Sequence, residues 1–466
     1  MNRVDRILYT IIFVTIPFII WAKLQILPTF DDWNSITADY HNWTVELFYR
    51  HDSFWRPFDE ILKYIYSQNY QLFPVLSHVI ILIGHLINTY LIYLISDALG
   101  FNRLAKSMAT TFFYLSPCML ATLWACDSTN QTLSKLWGLL ALFCYLQYKG
   151  TKKYLLWAII VFLATLTKEN GLTWAFIPPI IAFGFSKISI DILKKEFVFA
   201  GAIVAFYLLI RFAIPMIGEY DPEYTTISIA KYIKQLGILI GFTWIAVDYV
   251  YLLHEPSRNL LIALITFLLS FPFIVFVFKN ISWKNKTFLS LAGSAIMAVL
   301  PNLLTNLSVM NTYTSLGICA LLVGYCVNLI KKTIYIKYAF AGYVISALFI
   351  DSHLWYTSWQ TSLVGKEMAQ QAIEKTGKPV QSVYTITVED NIRKLSSFCV
   401  IPCEAFGWGI SVKYATGMQW PKKLYNYTVA YDTNQNTIKT IAQKALNKGY
   451  DCVWVVNKNN IEVIKR

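Results

Sequence analysis

The chain contains few charged residues and few histidines. Aspartate, glutamate, lysine and arginine make up 14% of its 466 residues, whereas soluble domains carry about 25%. This low share argues against a soluble protein. The six histidines form no cluster with cysteine, so the sequence does not indicate a zinc site. A glycine-rich phosphate-binding loop is also missing, which argues against a nucleotide-driven pump.

Apolar residues, in contrast, make up 56% of the chain, and aromatic residues 16%. They are gathered in long runs, so the sequence predicts an all-α polytopic membrane protein. No small-residue cleavage site follows the first run, which is therefore predicted to be a retained helix rather than a signal peptide. The runs lie near residues 7–27, 71–99, 105–124, 132–148, 153–167, 171–186, 196–217, 236–253, 260–278, 287–304, 313–330 and 337–351.

The positions of the basic residues predict how these helices are oriented across the membrane. The formal net charge is +13, but lysine and arginine stand in short clusters between apolar runs, so nucleic acid is not an expected partner. If the N-terminus is cytoplasmic, the basic loops lie inside as far as the seventh helix, as the positive-inside rule requires. The later loops obey the rule only if 236–253 does not span. We therefore predict about eleven spanning helices plus a re-entrant or interfacial segment at 236–253.

This topology places several polar segments outside the membrane. The loop 28–70 is rich in acidic and aromatic residues and is expected to form amphipathic helices on the outer surface. Residues 1–351 are predicted to form the transmembrane domain. Residues 352–466 are polar and mixed, and strand-like stretches such as "SVYTITV" alternate there with helix-like ones. They predict a small α/β domain on the extracytoplasmic side.

The eight cysteines fall into two groups. Five lie in or beside apolar runs and are interpreted as packing residues. Cys399, Cys403 and Cys452 lie in the polar C-terminal part. Two of these three could form a disulfide if that part faces an oxidising compartment.

Two adjacent carboxylates, Asp31 and Asp32, follow directly on the first apolar run. One interpretation is a solvated helix end, where acidic residues are common. The other is a catalytic site, because like charges this close raise one pKa, which suits a general base. The sequence does not show which of the two aspartates would be the base.

Three cations are predicted on the same side as the paired aspartates. Arg56 precedes a proline that favours a helix start, Lys168 lies at the outer end of the fifth span, and Arg211 lies near the outer end of the seventh. Arg56 alone is explained by a surface side chain at a helix boundary, and Lys168 and Arg211 by side chains that reach the membrane interface. Together they are predicted to bind a phosphate. Lys135, just inside the fourth span, is a further candidate.

Other polar residues are candidates for the same pocket. His85 lies deep in the second span, where polar groups usually face the bundle interior, and a histidine hydrogen-bonded between helices explains it as well as a site does. No third ligand stands near it at a spacing that suits a metal. The other pocket candidates are Glu169, Asp127, Asp248, Tyr249 and Tyr313.

Seven short motifs, taken in order, resemble the GT-C superfamily of membrane glycosyltransferases, which includes protein O-mannosyltransferases and aminoarabinose transferases. The resemblance spans roughly residues 1–351. The motifs are "FDDWNSI", "WRPFDEIL", "GHLINTYLIYL", "SPCMLATLW", "TKENG", "VDYVY" and "NTYTSLGI".

The resemblance implies an enzyme that uses a sugar carried on a polyprenyl phosphate and acts outside the cytoplasm. The family's acidic pair maps onto Asp31 and Asp32, and its phosphate-binding cations map onto Arg56, Lys168 and Arg211. The implied reaction is an inverting displacement at the bacterial inner membrane. No cofactor is required, although some relatives use a divalent cation. The expected acceptor is a glycan such as lipopolysaccharide O-antigen.

The sequence departs from the family at two places. Relatives often carry Glu-Arg where this chain has Asn311 and Thr312, and often carry Arg with an acid where it offers Asp127. Two other functions therefore stay open, namely a transporter or flippase of lipid-linked glycans, and a polysaccharide polymerase or ligase. Asp248 and Tyr249, with the loop 218–235, are interpreted as a lid over the donor.

Overall fold

The computed structural model describes residues 3–37, 47–51, 54–217, 228–245, 256–279, 281, 283–304, 309–330, 333–389 and 401–466. Helices dominate the part of the chain that leads to residue 376. They are α1 (Arg3–Leu24), α2 (Asn34–Thr37), α3 (Pro57–Gln68), α4 (Phe73–Ala98), α5 (Arg103–Leu115), α6 (Leu120–Leu123), α7 (Thr129–Gln147), α8 (Gly150–Thr167), α9 (Ile177–Gly184), α10 (Ile190–Ala213), α11 (Ile229–Trp244), α12 (Pro256–Lys279), α13 (Lys286–Val299), α14 (Tyr313–Leu329) and α15 (Thr333–Thr376).

Eight helices in the described part of the chain are long and apolar enough to cross a membrane. The predicted class, an all-helical polytopic membrane protein with a small α/β unit, is confirmed. The eight are Arg6–Leu24, Phe73–Ala98, Gly150–Thr167, Ile190–Ala213, Leu260–Lys279, Lys286–Leu303, Met310–Leu329 and Thr333–Thr376.

Four of the predicted runs form shorter or more polar elements. The run 105–124 breaks after Leu115, because the following Ser-Pro pair disfavours helix, and α5 has 13 residues. The run 171–186 begins as the 3₁₀ helix Glu169–Ala175 and leaves eight residues for α9. The helix α7 carries a polar first turn. The run 236–253 overlaps α11, and its residues 246–253 lie outside the described part, so a re-entrant segment there stays a prediction.

Side-chain caps fix several helix starts. Asn102 accepts a hydrogen bond from the N–H of Ala105 at the start of α5, and Asn285 accepts two at the start of α13. Pro57 occupies the first turn of α3, where its missing N–H has no cost. This confirms the helix start predicted at "WRPF".

The helices pack around one apolar core. It is rich in aromatic residues, and Phe112, for example, stacks on Tyr343 with ring centroids 5.1 Å apart. The opposite faces of several helices are exposed and apolar, as in α10, where Leu209 is 71% exposed. Such a face fits lipid rather than water.

The last membrane helix continues into the C-terminal unit. At 1.5 Å per residue, the 44 residues of α15 span about 66 Å, roughly twice the hydrocarbon thickness of a bilayer. One unbroken helix therefore crosses the boundary predicted after residue 351, and the division into two domains stays a prediction.

The C-terminal unit contains a four-stranded sheet with helices on both sides. Its elements are β3 (Ser382–Val388), α16 (Pro402–Ala405), α17 (Ile410–Ala415), β4 (Lys423–Val429), α18 (Gln435–Asn447), β5 (Cys452–Asn457) and β6 (Asn460–Lys465). The strand order is β4–β3–β5–β6, with β3 parallel to both β4 and β5 and with β6 antiparallel to β5. One sheet face packs on the end of α15 and the other on α18. A separate parallel pair joins β1 (Arg50–His51) to β2 (Met216–Ile217).

Two of the three C-terminal cysteines, Cys403 and Cys452, are buried in the core between the sheet and α15. Cys399 lies outside the described residues. A disulfide among the three stays a prediction.

Candidate functional site

One cavity of about 670 Å³ gathers most of the candidate residues at one end of the bundle. Its wall combines segments that are far apart in the chain, namely the turn after α1, the end of α8, α10 and the two 3₁₀ segments that flank residues 305–308. The lining residues are Asp31, Phe54, Arg56, Asp127, Ser128, Asn130, Gln131, Lys168, Glu169, Asn170, Leu172, Thr173, Phe176, Val204, Tyr207, Arg211, Met297, Leu300, Pro301, Asn302, Met310 and Asn311.

The two aspartates of "FDDW" have different surroundings. They lie in the 3₁₀ helix Phe30–Trp33. The Asp31 side chain lines the cavity, whereas Asp32 is 3% exposed and does not line it. Adjacent residues in a tight turn point in different directions, so the chain presents one carboxylate to the cavity and buries the other.

Both carboxylate oxygens of Asp32 accept backbone hydrogen bonds. Its Oδ2 atom accepts from the N–H of Thr29 at 2.9 Å, and its Oδ1 atom accepts from the N–H groups of Cys126 and Asp127 at 2.7 and 2.8 Å. Asp32 thus ties the turn after α1 to the loop before α7. That loop carries Asp127 into the cavity wall.

The carboxyl groups of Asp32 and Asp127 influence one another. Burial raises the pKa of Asp32 above its ordinary value, and the charge of Asp127 raises it further, while the three N–H donors lower it. Burial also raises the pKa of Asp127, whereas the ammonium of Lys168 lowers it. The cavity therefore holds its acidic groups beside a compensating cation.

Arg56 is held by an acid and a ring. Its Nε atom donates to Oε2 of Glu169 at 2.8 Å, and its guanidinium lies 4.3 Å from the ring centroid of Phe54. Oε1 of Glu169 also accepts from the N–H of Trp55 at 3.3 Å. Glu169 therefore orients Arg56, which explains why this acidic residue lies among the cations of the cavity.

Lys168 is linked to α3 through an amide. Its Nζ atom donates to Oδ1 of Asn130 at 3.4 Å, and Nδ2 of Asn130 donates to the buried carboxylate of Asp59 at 2.9 Å. Burial lowers the pKa of Lys168 to about 8, and the charge of Arg56 lowers it as well, while three nearby acids oppose this shift. The ammonium is therefore charged at neutral pH but close to titration.

The cavity also contains polar residues that the sequence analysis missed. Tyr207 lies one helical turn before Arg211, and its buried hydroxyl has no hydrogen-bond partner within the described ranges. Gln131 lies in the first turn of α7, whereas Asp127 precedes that helix. For Tyr207, the signal that could have found it is the four-residue spacing from Arg211, which places two side chains on one helix face.

His85 and Tyr313 lie together in the bundle interior and do not line the cavity. Nδ1 of His85 is 3.0 Å from the hydroxyl of Tyr313, and the amide of Asn88 donates to the same hydroxyl at 3.0 Å. The histidine is thus hydrogen-bonded between helices. Lys135 is likewise buried behind the cavity, where its ammonium donates to the carbonyl of Thr314. Asp248 and Tyr249 lie outside the described residues.

The C-terminal unit contacts the turn that carries Asp31. Nε1 of Trp33 donates to the carbonyl of Ala405 at 3.2 Å, and the Trp33 ring packs on Tyr414 with centroids 5.7 Å apart. Phe30 packs on Trp408 at 6.1 Å. The acidic turn is thus held between the membrane bundle and residues from the far end of the chain.

Within the ranges that the structure describes, no three His, Cys, Asp or Glu side chains lie together as metal ligands would.

Comparison with known proteins gives a similarity in structure. No protein-family model matches the chain, and no curated protein matches it. The chain is similar to the crystal structure of ArnT from Cupriavidus metallidurans bound to undecaprenyl phosphate, over 98% of this chain and 97% of that chain, with 10% sequence identity and a TM-score of 0.46. The function of this chain is inferred from the residues of its own cavity.

Proposed function

We propose that the protein is a glycosyltransferase of the bacterial inner membrane, with a cytoplasmic N-terminus and an extracytoplasmic site. It transfers a sugar from a polyprenyl-phosphate donor to an acceptor glycan such as lipopolysaccharide O-antigen. The observation that carries the proposal is the shared cavity, in which Asp31 faces the same space as Arg56, Lys168 and Arg211. A carboxylate such as Asp31 in the same cavity as three cations suits a displacement in which a hydroxyl loses a proton and a phosphate leaves.

The three cations would bind the donor phosphate. They come from three separate segments of the chain and converge on one cavity, where a phosphate ester would compensate their mutual repulsion. Arg56 is oriented by Glu169 and Lys168 by Asn130. Such pre-positioned charges stabilise a leaving phosphate without reorganisation at the moment of reaction. The hydroxyl of Tyr207 would donate a further hydrogen bond to a phosphate oxygen.

Apolar residues in the same cavity would receive the lipid part of the donor. Phe176, Val204, Met297 and Leu300 line it beside the cations. Val204 belongs to α10, whose outer face is exposed and apolar. An isoprenoid chain could therefore lie against α10 and the bilayer while its phosphate reaches the cations. The volume of about 670 Å³ falls within the usual range for ligand sites, about 300–1,000 Å³.

The reaction is a single displacement with inversion at the anomeric carbon. The acceptor oxygen forms a bond to that carbon while Asp31 takes the hydroxyl proton. The bond between the anomeric carbon and the phosphate oxygen breaks, and its electron pair leaves with the polyprenyl phosphate. Asp31 is assigned as the base because it faces the cavity, whereas both oxygens of Asp32 accept backbone hydrogen bonds. Asp32 positions the turn.

Transfer of radiolabelled sugar from undecaprenyl-phosphate-glucose, in membranes that contain O-antigen, tests the proposal. Wild type is compared with Asp31→Asn and with Asp191→Asn as a matched control. Asp191 is exposed in the first turn of α10, at the opposite end of that helix from Arg211.

Transfer by wild type and by the control variant, but not by Asp31→Asn, is the expected result. Full transfer by Asp31→Asn would contradict its role as the base. Flipping of the lipid-linked sugar without an acceptor, in proteoliposomes that show no transfer, would support a flippase instead. If glucose is not transferred, the same assay with other lipid-linked sugars tests the enzyme class.

A further inference from the structure

The cavity has two chemically different sides. The cations Arg56, Lys168 and Arg211 come from the segment before α3, the end of α8 and α10. The other side is formed by the first turns of α7 and by the segments 300–304 and 309–312, with Asn170 between them. In the part of the wall that the structure describes, this side carries carboxamides, and Asp127, which precedes the first turn of α7, also lines the cavity. We call the four carboxamide residues the amide wall: Gln131, Asn170, Asn302 and Asn311.

The amide wall is held in place by its own contacts. Nε2 of Gln131 donates to the carbonyl of Met310 at 3.0 Å, and Nδ2 of Asn302 donates to Oγ1 of Thr314 at 3.3 Å. Oδ1 of Asn170 accepts from Oγ of Ser134 at 3.3 Å. These contacts fix the directions of the Gln131, Asn170 and Asn302 amides before a ligand arrives.

Gln131 carries the observation that points to a ligand. The residue is 2% exposed, and its Oε1 atom has no hydrogen-bond partner in the described part of the chain. A buried carbonyl oxygen without a donor is unfavourable. Since Gln131 also lines the cavity, a donor group of the ligand would satisfy this atom.

We propose that the amide wall binds the sugar ring of the donor and selects an uncharged sugar, with Gln131 as a specificity-determining residue. This inference rests on the function proposed above. Sugar hydroxyls both donate and accept hydrogen bonds, and so do carboxamides. A hydroxyl of the ring donates to Oε1 of Gln131, while the phosphate lies on the cationic side.

A charged sugar fits this wall poorly. An amino sugar brings an ammonium group that needs a carboxylate, and a uronic acid brings a carboxylate that needs a cation. The carboxylate of Asp127 also lines the cavity, but it already interacts with the charge of Lys168, and the cations lie on the side that would bind the phosphate. The ammonium of Lys135 lies behind the wall, but it donates to the carbonyl of Thr314 and does not line the cavity. Burial of either sugar charge against neutral amides is therefore unfavourable.

Binding to purified protein in detergent separates this inference from the proposed function. Four ligands are compared: bare undecaprenyl phosphate and the same lipid linked to a neutral hexose, to an amino sugar and to a uronic acid. Wild type is expected to bind the hexose lipid at least about tenfold more tightly than either charged-sugar lipid, since a mismatched polar group in a buried site costs at least this much.

The variant Gln131→Met keeps the length of the side chain and removes the acceptor. It is expected to bind the hexose lipid about tenfold more weakly and bare undecaprenyl phosphate as wild type does. Gln147→Met is the matched control, because Gln147 is the exposed last residue of the same helix. Bare-lipid binding also shows that each variant is folded.

Two results would overturn the inference, and a third would contradict the proposed function as well. Equal or tighter binding of a charged-sugar lipid by wild type contradicts the selection, and an unchanged affinity of Gln131→Met for the hexose lipid contradicts the role of Gln131. Failure of wild type to bind any of the four lipids, including bare undecaprenyl phosphate, contradicts the proposed function itself.

Discussion

The backbone N–H of Asp127 donates a 2.8 Å hydrogen bond to Oδ1 of Asp32. This bond joins the turn after the first membrane helix to the loop before α7. Asp32 therefore holds together two segments that form the site, while its neighbour Asp31 faces the cavity.

We therefore expect the two aspartates to respond differently to the same substitution. In Asp32→Asn, an amide NH₂ replaces one carboxylate oxygen and faces a backbone donor, so at least one buried N–H loses its acceptor. The expected cost is about 1–3 kcal/mol in the free energy of unfolding, seen as a lower Tm in detergent. Asp31→Asn should lose less stability than Asp32→Asn, because Asp31 faces the cavity. Equal Tm values for both variants would contradict the positioning role of Asp32.

The pH dependence of kcat/KM for the donor should follow the protonation state of Lys168. A lysine is charged below its pKa, and burial lowers this pKa to about 8. As the pH rises through this value, the ammonium loses its proton and the phosphate loses a partner. We expect kcat/KM for the donor to fall above about pH 8, and Lys168→Arg to move this fall to higher pH, since arginine stays charged. Identical alkaline limbs for wild type and Lys168→Arg would assign the fall to another group.

Gly171 in "TKENG" is required by a close approach of two backbones. A Cβ atom there would lie 2.3 Å from the carbonyl carbon of Ala164, so Gly171→Ala must push the segment 169–175 away from α8. The expected loss is about 1–3 kcal/mol of stability, together with loss of transfer, because Lys168 and Glu169 move with the segment.

Gly201 in α10 is the control for this prediction. A Cβ atom there meets nothing within 4 Å, and alanine favours helix by up to about 1 kcal/mol over glycine. Gly201→Ala should therefore be as stable as wild type or slightly more so. Equal losses in the two variants would show that the close approach at Gly171 is unimportant.

Gly407 should affect transfer although it lies far from the cavity in sequence. Its φ is +59°, and a Cβ atom would lie 2.4 Å from Cδ1 of Trp33. Gly407→Ala therefore displaces Trp33, two residues from the proposed base. Gly449 also has a positive φ, +98°, but a Cβ atom there meets nothing within 4 Å.

Both alanine variants share the backbone strain, and only the first disturbs the acidic turn. We expect the rate of sugar transfer to fall at least about tenfold in Gly407→Ala, since small misplacements of a catalytic group have effects of this size or larger. Gly449→Ala should transfer as wild type does. Equal rates in the two variants would show that the contact with Trp33 does not serve the site.

Sequence patterns predicted those elements whose bounds depend on residues close to them in the chain. A stretch rich in β-branched residues identified the strand Ser382–Val388 with its observed bounds, and the proline in "WRPF" identified the start of α3. Apolar content did not separate the short buried helix α5 from a spanning helix, because 11 of its 13 residues are buried. An all-round buried helix has the composition of a membrane span whatever its length.

The charged residues of the site were predictable, and the amides were not. Acids and cations are conspicuous in apolar surroundings, so Asp31, Arg56, Lys168 and Arg211 stood out. The amide of Gln131 is held by a hydrogen bond to a carbonyl that lies 179 residues away in sequence, and no local sequence pattern predicts that contact. Which of two adjacent aspartates faces the cavity depends on the 3₁₀ turn, which the sequence does not specify.

The contact between Trp33 and residues 405–414 has a consequence for the order in which the protein is made. The turn that carries the proposed base leaves the ribosome some 370 residues before the carbonyl of Ala405 that holds it. A nascent chain halted before that point would already contain the cations and the lipid-facing helices, yet its acidic turn would lack part of its support. Under the function proposed above, such a chain would bind donor without using it, and transfer would begin only once residues 405–414 are made.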